Sequence, residues 1–334
     1  MSTGKSSAVT VVIPTYNRPS LLQEALGSVI VQDLEEFETL IVDDASPCDV
    51  NAVVDAFADP RLRVLRQPTN VGMQRNWRTA LCTPTTPYVA LLEDDNLWLP
   101  HHLEEAVAAL DKHPEATMYS CTSEMFGGQR DGLFQPTWCT RAGLEIWRWQ
   151  EIGYAGWLQG SPVMASSVVV RRETLDRLFW GGTTWPWCHD WLWWGQLALA
   201  GPVIFNNRVG IRYRWHEGNA THGFQSSRFR AQWLYTAGAL ATRAWRMGAL
   251  RNLAAETRSF STSSLSVLMV ALAAPEIPRP LRRQAYRLFD LRRDIVNQPG
   301  CGVHVRIAAA IGSWWLTYAN IVTRVRGHWW PVVD

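Results

Sequence analysis

At 334 residues, 47% apolar and 19% charged, the chain has the composition of a folded protein, either one large domain with an appendage or two modest domains. Its six cysteines are scattered, with no C-x-x-C pair and no metal-finger spacing, which sets aside a disulfide scaffold and a zinc finger and fits buried thiols in a reducing compartment. The formal net charge is only +2, but its distribution is uneven: the segment from Arg243 to Arg326 holds thirteen arginines against Glu256, Glu276, Asp290 and Asp294.

The first seven residues carry no apolar run of the signal-peptide kind, and the expected location is cytoplasmic. Residues 8–14 form a short apolar, β-branched run, the pattern of a fully buried strand. Pro19 and Ser20 then open a helix in which Leu21, Leu22, Ala25, Leu26, Val29 and Ile30 recur at helical spacing. Strands follow at 37–42, 62–66 and 88–92, separated by helices at 50–57 and 72–81. A further helix is expected at 101–112 and a strand at 116–121. Residues 127–160, rich in glycine and tryptophan, read as long loops with short helices. Strand character returns at 163–170, a helix at 190–199, and strands at 203–206 and 209–215. From about residue 224 the pattern is helical, interrupted by Pro275, Pro278 and Pro280. Strand and helix alternating in this way predict a parallel sheet covered on both faces.

Three acidic groups punctuate this pattern. Asp43-Asp44 follows the run at 37–42, Glu93-Asp94-Asp95 follows the run at 88–92, and Asp190 stands in the segment Trp185-Pro186-Trp187-Cys188-His189-Asp190-Trp191. Carboxylates at the C-terminal ends of buried strands lie where open α/β sheets bind ligands. The first pair and Asp190 could equally serve as helix caps.

Residues 8–220 resemble a family 2 glycosyltransferase of the GT-A type. The resemblance rests on Val11-Val12-Ile13-Pro14-Thr15-Tyr16-Asn17-Arg18, Ile41-Val42-Asp43-Asp44-Ala45-Ser46, Asn70-Val71-Gly72 with Arg75-Asn76, and Leu92-Glu93-Asp94-Asp95-Asn96. Val169-Val170-Arg171-Arg172-Glu173 and Tyr213-Arg214-Trp215-His216-Glu217-Gly218-Asn219 complete it. It implies a Rossmann-like, mostly parallel α/β sheet with helices on both faces over residues 1–222, and leaves 223–334 as a C-terminal helical region. The implied reaction moves a sugar from a nucleoside-diphosphate sugar, UDP or dTDP favoured, to a hydroxyl of a glycan, lipid-linked sugar, peptide or natural product, with inversion. A sugar nucleotidyltransferase is an alternative, but its glycine- and arginine-rich phosphate loop after the first strand is missing. A non-catalytic nucleotide-sugar or glycan-binding protein is another.

By the same resemblance, Pro14, Tyr16, Arg18, Asp44, Arg75 and Asp94 bind the donor. Asp44 accepts an N–H of the base and Arg75 pairs with phosphate oxygens. Asp95 holds Mn²⁺ or Mg²⁺, a hard cation that neutralises the departing diphosphate, with His216 beside it and His222 as its rival. Glu93 stands where the family's D-x-D motif usually has aspartate, so its own ligation is in question. Asp190 takes the position of the catalytic base, with His189 as competitor. Ten of the nineteen tryptophans fall between residues 138 and 194. Trp157, Trp185 and Trp187, with His189, are the candidate lining of an acceptor cleft, since sugar C–H faces stack on aromatic rings; core packing is the alternative. The apolar stretch 307–322, flanked by arginines, is short for a membrane span. It suits peripheral contact with the inner membrane face or a homodimer, and no nucleic-acid-binding module accompanies it.

Overall fold

The computed structural model describes residues 8–128, 132–136, 139, 141–149, 151, 157, 161–178, 180, 188–216 and 219, together with positions 236, 240, 243 and 247. The chain divides into two compact units, Met1–Ile152 with Ser161–Asn219, and Gly153–Gly160 with Ala220–Asp334. In the second unit the described residues are few; Trp157, Thr236 and Leu240 are buried and Met247 is exposed. The expected C-terminal helices, the 307–322 stretch and His222 lie outside the described residues.

The first unit is built on a ten-stranded sheet. Its strands are β1 (Val9–Thr15), β2 (Phe37–Asp43), β3 (Leu62–Arg66), β4 (Tyr88–Leu91), β5 (Leu97–Trp98), β6 (Met118–Phe126), β7 (Gly132–Phe134), β8 (Leu144–Trp147), β9 (Val169–Arg171) and β10 (Val203–Arg214). They run in the order β3-β2-β1-β4-β9-β6-β10-β5, with β7 on β6 and β8 on β10. The β3-β2-β1-β4 half is parallel, as is the β6–β10 pair; β9 inserts antiparallel between β4 and β6.

Period-two alternation sorts the two faces of this sheet. Val9, Val11 and Ile13 of β1 enter one core with Leu22, Ala25, Leu26 and Val29 of α1 (Pro19–Ile30), Val50 and Val54 of α2 (Val50–Asp55), and Leu103, Ala106 and Leu110 of α4 (His102–Lys112). The helix α3 (Met73–Cys82) packs on β1 and β2 but adds nothing to that core, so it covers the opposite face. Helices on both faces of a mostly parallel sheet are what the alternating sequence pattern predicted.

Pro14 shows how β1 tolerates proline while central. Val12 accepts from Leu92 N, on the side of β4, and residues two apart point the same way. The missing N–H of Pro14 therefore faces the side where β4 has already ended, its last pair being Val12 with Leu91. No ladder bond is lost, and the gap becomes the mouth of a cleft.

Three sequence expectations need correction. Residues 163–170 are not one strand: Ala165–Ser167 form a 3₁₀ turn before β9, where Ser167 Oγ bonds Met164 O at 2.7 Å and Ser120 Oγ at 2.7 Å. The two strands expected at 203–206 and 209–215 are one, β10, which passes the polar Asn206-Asn207-Arg208 through a bulge instead of a turn. The loop region 127–160 contains β7 and β8. In the Val169–Glu173 signature, Arg171 is structural: its guanidinium donates to Leu110 O at 2.9 Å, in the last turn of α4, and to Ala116 O at 3.1 Å, in the link from α4 to β6.

Candidate active site

The C-terminal ends of β1, β2 and β4 open onto a cleft of about 390 Å³, lined by Pro14, Thr15, Tyr16, Arg18, Asp44, Asn70, Gly72, Met73, Asn76, Trp77, Glu93, Asp94 and Asp95. Five of the six expected donor residues line it. Arg75 does not; it stands exposed on α3, while its neighbours Asn76 and Trp77 face inward and are buried.

Each acid at the cleft has a distinct environment. Asp43 is fully buried, taking Ser46 N at 2.9 Å and Arg66 on its other oxygen. Asp44, 2% exposed, receives Val71 N at 2.8 Å on Oδ1 and Gly72 N at 2.9 Å on Oδ2. It thus fixes the loop ahead of α3, and each oxygen keeps a second lone pair beyond these bonds. Asn76 Nδ2 reinforces this corner by donating to Val42 O at 2.8 Å.

Of the trio after β4, Glu93 is held by neutral groups. Glu93 turns Oε2 onto Ser166 Oγ at 2.9 Å and Asn96 Nδ2 at 3.0 Å. Burial first, then the charge of Asp95, and after these Asp190 and Asp94, push its carboxyl up to about 8. Asp94 is raised to about 6, by burial and then by Asp95, against the opposing pull of Arg18 and of Thr15, which donates at 2.7 Å. Arg18 lies between the two aspartates, its NH1 3.1 Å from Asp94 Oδ1 and 2.8 Å from Asp95 Oδ2. Burial works against its charge, but the two carboxylates outweigh it and raise its pKa.

The far end of β10 comes back to the same point. His216 Nε2 sits 3.1 Å from Asp95 Oδ2. Its turn is tied by Asn219, which receives His216 N and donates to Arg214 O at 3.1 Å. Arg214 is absorbed in this framework: its Nε donates to Asp95 O at 3.0 Å, its backbone N to Asn96 Oδ1 at 2.8 Å, and its NH2 to Glu24.

Asp190 lies in the first turn of the helix α6 (His189–Ala200), after α5 (Arg172–Leu175). Its charge adds to the upward push on Glu93, though Asp190 is not among the residues that line the cleft; its neighbour His189 packs its imidazole edge-on to Trp77 of the cleft wall at 4.9 Å. His189 is buried between Trp77 and Trp193, and burial lowers its pKa although Asp190 pulls the other way. A neutral ring with no hydrogen-bond partner among the described residues is a wall of the site more than a base. Trp157 is fully buried and offers no ring face to a ligand as it stands; Trp185 and Trp187 lie outside the described residues.

The backbone turns left-handed at Asn17 (φ 55°), Ala45 (φ 60°) and Cys188 (φ 58°), just after β1, just after β2 and just ahead of α6. Among the described residues no three His, Cys, Asp or Glu side chains form a metal cage. The donor set does fit a cation held as Mg²⁺ and Mn²⁺ are in phosphate-transfer sites, by one or two protein groups plus substrate oxygens: Asp95 Oδ2 and His216 Nε2, an oxygen and a nitrogen donor, lie 3.1 Å apart at the cleft.

Sequence reasoning did not single out Thr15, Asn96, Ser166 or Asn219. Thr15, Asn96 and Asn219 fall inside the family motifs, where a polar side chain in an otherwise buried run is the available signal. Ser166 carried none, because its role depends on two segments 73 positions apart.

The chain belongs to glycosyl transferase family 2, whose model matches residues 10–178. It is 36% identical over 109 residues to the succinoglycan biosynthesis protein ExoW of Rhizobium meliloti, covering 31% of this chain and 34% of that protein, so the match spans about a third of the relative. Among solved structures, S. aureus TarS residues 1–349 in complex with UDP-GlcNAc matches with a TM-score of 0.64 at 16% identity, over 98% of this chain and 93% of that one. The mannosyltransferase PcManGT from Pyrobaculum calidifontis, in complex with GDP-Man and Mn²⁺, matches with a TM-score of 0.52 at 21% identity, over 98% and 88%. At these identities the two likenesses are of fold: the GT-A α/β sheet.

Proposed function

We propose that this chain is an inverting, metal-assisted glycosyltransferase that uses a nucleoside-diphosphate sugar, with residues 1–222 doing the catalytic work. What supports the reading is the meeting of Asp44 and Asp95, from segments that follow two separate strands, on one cleft at the open end of the sheet; Asp190 is assigned from its place in the first turn of α6 and from its charge acting on Glu93.

In this reading the base lies near Tyr16 and Asp44, whose spare lone pairs accept an N–H; uracil and thymine, each with one such donor flanked by carbonyls, suit it, and UDP or dTDP is the proposed carrier. Asp94 faces the ribose. Arg18 pairs with the diphosphate, and the same role for Arg75 requires its side chain to reach in from α3. Asp95 and His216 would hold Mn²⁺ or Mg²⁺, which supplies positive charge to the leaving diphosphate. Asp190 takes the proton of the acceptor hydroxyl as that oxygen forms its bond to the anomeric carbon. The bond from that carbon to the phosphate oxygen breaks with its electron pair going to the diphosphate. One displacement from the opposite face inverts the centre. Glu93, tied to Ser166 and Asn96, positions the loop instead of ligating.

The acceptor is a hydroxyl of a glycan, lipid-linked sugar, peptide or natural product, and the basic region 223–334 is the proposed surface for membrane or dimer contact. Among the described residues no helix is long and apolar enough to cross a membrane.

The test has two parts. Thermal stabilisation is measured with UDP-, dTDP- and GDP-sugars in the presence of Mn²⁺, where a true ligand raises the melting temperature by mass action. Slow donor hydrolysis is then compared between wild type and Asp190→Asn. Loss of about 10²- to 10⁴-fold in rate with stabilisation retained supports the assignment; equal hydrolysis removes Asp190 as base, and no stabilisation by any nucleotide sugar removes the donor site.

A further inference from the structure

Arg18 occupies the place where the charge of this site is decided. Its NH1 donates at once to Asp94 Oδ1 and Asp95 Oδ2, and that second oxygen is the one His216 Nε2 also faces. A guanidinium and a divalent cation cannot share that oxygen at close range without repulsion, which a cleft wall shields poorly.

The backbone beneath Arg18 is fixed. Asn17 N donates to Ser46 Oγ at 2.8 Å, and Arg18 O receives Leu22 N at 2.9 Å as α1 begins. The side chain itself is 36% exposed, so rotation about its own bonds is the movement available to it.

We propose that Arg18 is a displaceable internal counter-ion: its guanidinium holds the cation seat on Asp95 until a nucleoside diphosphate arrives, and then moves onto the diphosphate, opening the seat. The inference rests on the proposed donor and metal site and deepens it. Metal alone binds weakly, because it must draw the guanidinium off both carboxylates without phosphate oxygens to receive it. With the diphosphate present, the evicted guanidinium gains phosphate oxygens as new partners, a geometry it matches well. Metal and donor therefore bind with positive coupling, and by linkage each favours the other by the same factor. The arrangement also offsets part of the charge of the acid pair.

The experiment is Mn²⁺ titration of the full chain, following free Mn²⁺ by electron paramagnetic resonance, with and without UDP and, in a second arm, GDP. Arg18→Gln is expected to bind Mn²⁺ alone roughly tenfold more tightly than wild type, within the range that couplings of this kind span, while the gain from the nucleotide shrinks by a similar factor. If the glutamine variant does not fold, Arg18→Lys, which reaches one carboxylate at a time, is expected to bind Mn²⁺ alone several-fold more tightly than wild type. Unchanged Mn²⁺ affinity in the variant that folds overturns the proposal. Asp95→Asn separates the two levels. If it abolishes Mn²⁺ binding while Arg18→Gln matches wild type, only the counter-ion role falls. If no form binds Mn²⁺ with either nucleotide, the metal site and this inference fall together.

Discussion

Asp44 is the residue whose loss the structure prices most directly. Both carboxylate oxygens accept backbone amides, Val71 N at 2.8 Å and Gly72 N at 2.9 Å, from a group only 2% exposed. In Asp44→Asn one oxygen remains to accept, while the amide NH₂ is set against the second N–H. The variant loses one charge-assisted bond, weakens the other and strands a donor, each worth about 1–3 kcal/mol. These terms overlap, so the expected destabilisation is about 2–4 kcal/mol. For a unit of this size, about 2–4 °C of melting temperature accompanies each kcal/mol, which predicts a drop of roughly 4–16 °C by calorimetry without ligand. Asp49→Asn is the internal control: Asp49 caps α2 at an exposed site through one 3.1 Å bond to Ala52 N, and asparagine caps nearly as well, so its melting point should scarcely move. Melting of Asp44→Asn within about 1 °C of wild type would refute the view that this acid anchors the loop beside the cleft.

Other outcomes follow from the buried acids and from two glycines. Glu93, near 8 in the folded chain against an ordinary 4.5, holds a proton between those values that the unfolded chain has released. Its stabilising contribution is therefore present below about pH 4.5 and is lost as pH rises through about 8. Without metal, Glu93→Gln should melt increasingly above wild type from pH 5 to pH 9, by an amount on the order of 1–2 kcal/mol once partial exposure is allowed for; parallel curves would contradict this. Gly27, in mid-α1 with open space where a Cβ would stand, predicts that Gly27→Ala stabilises by about 0.5–1 kcal/mol in denaturant melts. Gly210→Ala should do the opposite by about 1–3 kcal/mol, because its Cβ would meet Cys121 Sγ at 2.6 Å and His102 Nδ1 at 2.9 Å in the core.

The parallel half of the sheet was legible because burial on both faces leaves continuous apolar runs, and the acids at their ends marked the cleft. The antiparallel half was harder. β5 has two residues, too few for any period, and β7 and β8 are edge-like pieces whose identity depends on pairing with β6 and β10. Asn206-Asn207-Arg208 looked like a turn because local polarity cannot distinguish a bulge, where Asn206 Nδ2 reaches Glu105 at 2.8 Å, from a chain reversal. At the site, residue type was readable and direction was not. Arg75 and Asn76 are adjacent, yet a helix sends neighbours about 100° apart, and Asn76 is the one turned inward. Likewise Glu93 is set apart from Asp94 and Asp95 by its partners, Ser166 and Asn96 in place of Arg18, and the contact with Ser166 is one no local pattern announces.

The three left-handed corners at Asn17, Ala45 and Cys188 bear on how this protein can be hardened for use. Alanine and cysteine in that conformation each cost about 1 kcal/mol or more, which the rest of the fold must hold in place. Glycine there would relieve the strain and, in the same stroke, widen the repertoire of the unfolded chain, so little net gain is to be had. Efforts at thermal robustness are better spent on the outer surface of α1, leaving the bends that aim the site as they are.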